Sequence, residues 1–144
     1  MKSFAFASLI VLSAMTAAAA ENLIEPGEWR VTSTTQINGA ASPQQSKSRC
    51  ITPDQAGNVA ATFGPVAGTV NSTCQDPVVE IAERKLTWSL QCRGQLDIDV
   101  TGDFDFDQPR HYTAVITSKG KMAGALISDV RTDIVAERVG DCAQ

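Results

Sequence analysis

Beyond Gly27, most of the chain is written in period two. Trp29, Val31, Ser33, Thr35 and Ile37 alternate with Glu28, Arg30, Thr32, Thr34 and Gln36. Leu86, Trp88, Leu90 and Cys92 share one parity, and so do Leu96, Ile98, Val100, Phe104 and Phe106. Successive side chains of a strand point to opposite faces, so this rhythm belongs to strands with one wet face. Turn-forming residues at Asn38 to Pro43 and at Gln108-Pro109 interrupt the runs. The pattern predicts a mainly β fold. About seven strands would form an antiparallel meander that curls into a half-barrel or barrel, with one short helix. The helix has a start signal: Thr52 as N-cap, Pro53 as first helical residue and Gln55 as capping-box partner. Gly57 weakens the helix beyond its first turn, and Phe63 to Thr69 reads as a loop.

Residues 1–20 stand apart. Lys2 precedes an apolar run from Phe4 to Met15, and Ala18-Ala19-Ala20 supplies small residues. This is the pattern of an export signal, with cleavage expected after Ala20. The run is shorter than the roughly 20 apolar residues of a membrane span. No lipid anchor is expected either, since the first cysteine is Cys50. Residues 21–144 would then form a single β domain in the periplasm, with no membrane span after signal cleavage.

The whole chain has 12 Lys and Arg against 16 Asp and Glu, a formal net charge of −4. Phosphate binding needs clustered basic side chains, so this balance argues against nucleic acid as a partner. Beyond the leader the aromatic residues are Trp29, Phe63, Trp88, Phe104, Phe106 and Tyr112. The core they imply is modest, and further stabilisation is expected.

The cysteines supply it. Cys50, Cys74, Cys92 and Cys142 all lie beyond the leader, and an exported chain meets an oxidising compartment, so two disulfides are expected. No C-x-x-C spacing is present, which argues against zinc. If Glu83-Arg84 is a tight turn, Ile81 faces Leu86 and Val79 faces Trp88. Pro77 cannot donate to a ladder, so a one-residue bulge is natural there. That bulge brings Cys74 opposite Cys92 and leaves Cys50 to pair with Cys142.

"LDIDVTGDFDFD", Leu96 to Asp107, places five aspartates on one parity, two apart except across Thr101. Asp97, Asp99 and Gly102 match positions of a calcium loop. Thr101 and Gln108, however, replace carboxylates that such a loop needs. Side chains two apart on a strand stand roughly 7 Å apart, too far for one ion to gather three in a row. The row is expected to be a solvated strand face, with Lys85, Arg93, Arg110 and Arg131 as neutralising partners. No metal or other cofactor is expected. His111, the only histidine, has no G-x-S-x-G serine to serve, and reads as a surface residue. "SKGK", Ser118 to Lys121, has an S-x-x-K spacing but falls in a turn. Asn71 has only the form of a glycosylation acceptor.

"EPGEWRVTSTT" at Glu25 and "ERVGDC" at Glu137 resemble the bacterial family known as domain of unknown function 3617, small secreted proteins of Gram-negative bacteria. Pro26, Gly27, Trp29, Val31, Cys50, Thr52, Pro53, Arg138, Gly140 and Cys142 match its pattern. Arg30 stands where the family usually has an acid. The resemblance implies a periplasmic location and a shared disulfide frame, and brings no activity, cofactor or catalytic residue.

With no catalytic constellation in view, the chain is not expected to be an enzyme. A non-enzymatic binding or envelope-maintenance role is expected, with a small apolar ligand in a cavity lined by Trp29, Trp88, Phe104 and Phe106. The competing role for these four residues is core filling. The alternative function is a protein-interaction module, an inhibitor or outer-membrane accessory factor. It would use an apolar patch or an edge strand such as "QQSKSR", Gln44 to Arg49.

Overall fold

The computed structural model describes residues 22–66 and 72–143. The expected signal, its cleavage site, Asn71 and the end of the Phe63 to Thr69 loop lie outside the described residues. Among the described residues there are nine strands and two short helices: β1 (Gly27–Ile37), β2 (Ala40–Ala41), β3 (Gln45–Ile51), α1 (Pro53–Gly57), α2 (Val59–Phe63), β4 (Ser72–Cys74), β5 (Val78–Ala82), β6 (Lys85–Gly94), β7 (Asp97–Gln108), β8 (His111–Met122) and β9 (Ala125–Gly140). All pairings are antiparallel, in one sheet of order β2-β1-β9-β8-β7-β6-β4. β3 joins β1 beside β2, and β5 joins β6 beside β4. Each edge is thus one interrupted strand, so the nine segments make seven ribbons. The edges do not meet, and the sheet is a half-barrel rather than a closed one.

The meander runs unbroken from β5 to β9. β9 then pairs along its length with β1, from Glu28↔Gly140 to Ile37↔Val130. The β1–β3 hairpin therefore extends the sheet beyond its last strand.

The β5–β6 hairpin turns at Glu83-Arg84, with Glu83 at φ 54°. Val79 faces Trp88 and Ile81 faces Leu86. One residue is gained before β4, and Cys74 lies opposite Cys92. Cys74–Cys92 and Cys50–Cys142 are bonded. The second closes a separation of 92 residues, which is worth about 4–5 kcal/mol in the chain-entropy description.

The helical segment is two helices rather than one. Thr52 and Gln55 exchange side-chain and backbone hydrogen bonds at 3.3 and 2.9 Å, the capping box that starts α1. Asn58 then caps a new start: its Oδ1 accepts from the Ala61 amide at 3.1 Å. The Thr62 hydroxyl donates to the Gln55 carbonyl at 2.8 Å and holds the pair together. Both helices contribute to the core, through Ala56, Val59 and Phe63.

Small residues on the sheet make room for them. Across neighbouring strands, Ala136 pairs with Tyr112, Ala114 with Phe104, and Gly102 with Trp88. Phe63 sits at the centre, its ring centroid 5.4, 5.5 and 5.2 Å from those of Phe104, Phe106 and Tyr112.

The aspartate row faces away from this core. Phe104 and Phe106 are buried between the outward Asp103, Asp105 and Asp107. Lys85 meets Asp105 at 3.2 Å and Arg93 meets Asp99 at 2.8 Å. The other two expected partners go elsewhere: Arg110 to Glu25 at 3.8 Å, and Arg131 to Asp133 on its own strand at 2.7 Å. Arg131 is drawn to the nearer acid because Asp133 is two residues along on the same face.

Candidate functional site

On the concave face, the space beside α2 that the core does not fill is a cleft of about 470 Å³. Its floor is Val31, Ile134, Ile116 and Phe104, one side chain from each of β1, β9, β8 and β7. Trp88 and Phe63 form one wall. Trp88 is fixed there twice: its Nε1 donates to the Phe63 carbonyl at 2.9 Å, and its ring lies close against Gly102. A Cβ on Gly102 would stand 2.3 Å from the indole Cε2, so the close approach requires glycine.

The rim is cationic. Lys47 pairs across to Val31 and Arg49 to Trp29, so both belong to the concave side of β3. The Arg49 guanidinium carbon stands 5.3 Å from the Phe63 ring centroid, and its Nη2 donates to the Thr62 carbonyl at 3.4 Å. Tyr112 completes the lining. Burial pushes its hydroxyl up to about 12, and the nearby Arg49 charge pulls it partly back.

The four aromatics expected to line a cavity divide. Trp88 and Phe104 do line the cleft. Trp29 and Phe106 do not: both are wholly buried in the core. Trp29 donates to the Glu25 carbonyl at 3.1 Å and packs on Tyr112 at 5.4 Å, beneath Ile24 and the N-terminal segment. Arg84 ties Leu23 to β7 by donating to the Leu23 and Phe106 carbonyls, and Leu23 and Ile24 pack with those two rings in the core. Sequence reasoning missed Tyr112, Val31, Ile116, Ile134, Lys47 and Arg49. They lie on four different strands, and only the cross-strand register gathers them.

His111 sits in a second, polar depression with Asp107 and Glu137. Its Nδ1 is 2.6 Å from an Asp107 carboxylate oxygen. The residues around it are Asp107, Gln108, Arg110, Glu137 and Arg138, so the pair has no serine, threonine or cysteine within the depression to activate. Among the described residues, no group of three or more His, Cys, Asp or Glu side chains is arranged to hold a metal ion. No helix among them is long and apolar enough to cross a membrane.

Apart from Trp29 in the core and Val31 in the cleft, the residues shared with the family pattern meet at one place. Arg138 reaches the Pro26 carbonyl, Gly27 lies against Arg138 and Gly140, and Cys142 is bonded to Cys50. A match to the family described as a protein of unknown function, DUF3617, spans residues 24–142. The chain belongs to that family. No curated protein and no solved structure matches it.

Proposed function

We propose that this is a non-enzymatic binding protein of the bacterial cell envelope that holds a small apolar ligand in the concave cleft. The observation that carries the reading is the cleft itself. Its volume lies within the range of about 300–1,000 Å³ of small-molecule sites, and its floor is apolar with a few polar groups at the rim. The signal-like pattern of residues 1–20 and the two disulfides support an oxidising, extracytoplasmic location.

Native mass spectrometry of the protein recovered from cells, compared with the denatured chain, tests this. A native mass in excess by that of a small organic molecule is the expected result. Equal masses, together with no binding of a neutral lipophilic dye, would overturn it.

One observation favours a second reading, an interaction module. β5 is an edge strand whose Val78, Val79 and Ile81 are exposed, Val78 by 70%. An open apolar edge is a surface on which another strand can add. Under this reading the protein carries no small molecule and elutes with a second polypeptide.

A further inference from the structure

We propose that the ligand of the concave cleft is a single-chain amphiphile with a carboxylate head, its chain along Phe104, Ile116 and Ile134 and its head between Lys47 and Arg49. This rests on the binding reading above and gives the ligand its chemistry.

Charge is the first argument. Acids outnumber bases in this chain by 16 to 12, yet the described residues lining the cleft include two cations and no acid. Neither Lys47 nor Arg49 forms an ion pair among the described residues. The two are next neighbours on one face of β3, roughly 7 Å apart along the strand, so a single anion can sit between them.

Geometry is the second. A guanidinium carries five N–H donors in a planar fork. Arg49 spends one on Thr62 and rests its plane near Phe63, which positions the fork without exhausting it. Such a fork matches a carboxylate with two parallel hydrogen bonds, and Lys47 adds a point charge.

Size is the third. A methylene takes about the space of a water molecule, about 30 Å³, so 470 Å³ suits one chain of roughly a dozen carbons. Two long acyl chains do not fit. Lysines on an edge strand also discourage strand addition, but that role has no preference among small-molecule head groups.

The test uses the intact protein as recovered from cells, with a neutral naphthylamine dye in the cleft. Dodecanoate, dodecanol and dodecyltrimethylammonium are compared as displacers at pH 8. Dodecanoate should act at a concentration about tenfold lower than dodecanol, with the cationic amphiphile weakest. Lys47→Gln and Arg49→Gln should each remove most of that advantage, read as the ratio of dodecanoate to dodecanol displacement within each variant. Lys47 is exposed, so its variant reports even if Arg49→Gln fails to fold. Equal displacement by dodecanoate and dodecanol would overturn the carboxylate head and leave the cleft reading standing. Failure of the dye and all three amphiphiles to bind would overturn both.

Discussion

Arg138 donates from Nε to the Pro26 carbonyl at 2.7 Å and so joins two residues 112 positions apart. The same side chain approaches Glu25 at 3.7 Å, and its backbone amide donates to the Arg110 carbonyl at 2.9 Å. Gly27, at φ +145°, has no room for a side chain: a Cβ would stand 2.4 Å from the Gly140 carbonyl and 2.6 Å from the Arg138 guanidinium. The family motifs at the two ends are therefore the two halves of one latch, with the Cys50–Cys142 bond beside it. Their role is to close the β1–β9 seam.

Arg138→Ala should then lower stability by about 1–3 kcal/mol, since it strands a carbonyl that the arginine serves. Gly27→Ala should cost about 2 kcal/mol or more, because both the backbone conformation and the contact resist it. Urea unfolding of the oxidised proteins measures both. Losses below about half a kcal/mol for both variants would refute the latch.

Gly102→Ala should displace Trp88. The expected cost is about 1–3 kcal/mol, as for other overpacked sites. Fluorescence separates this from a general loss, because the indole would leave the Phe63 carbonyl and its emission would shift. Dye binding in the cleft should fall with it.

Alkaline pH should destabilise the fold through Tyr112. Burial holds its hydroxyl up at about 12, whereas the unfolded chain ionises near 10. Between those values the unfolded state has released a proton that the native state retains, so stability falls as pH rises through this window. The loss from this group approaches roughly 2–3 kcal/mol at the top of it. Comparing urea midpoints of the wild type and Tyr112→Phe from about pH 9 to the limit of folding measures the contribution. The variant should show the shallower decline.

The aspartate row should be nearly silent. Lys85–Asp105 and Arg93–Asp99 are exposed pairs, so Asp105→Asn and Asp99→Asn should each change stability by less than about 1 kcal/mol. Millimolar calcium should leave the melting temperature where it was. A rise of several degrees would restore the calcium-loop reading of Asp97 and Asp99.

Local chemistry was legible in the sequence and distant pairing was not. The β5–β6 register came from a two-residue turn and a bulge near Pro77, and the capping box from Thr52, Pro53 and Gln55. Both depend on residues close in the chain. The insertion of β9 between β8 and β1 has no local signal, because period two shows that a strand is half-buried without naming its neighbour. The cleft shares this difficulty. Lys47 and Arg49 look like part of a polar edge until their pairing with Val31 and Trp29 turns them toward the concave side. Trp29 and Phe106 carry the same inward parity as Trp88 and Phe104, and only the seating of Leu23 and Ile24 distinguishes core from wall. Asn58 does carry a local signal, since a capping residue inside a weak helical stretch marks a second start.

β9 lies at the interior of the sheet and follows every other described strand in chain order. Until it emerges, the hairpin of β1 and β3 and the ribbons β5 to β8 have no partner in common. A growing chain therefore carries two incomplete halves and reaches its cooperative fold only when the final ribbon arrives to zip them together.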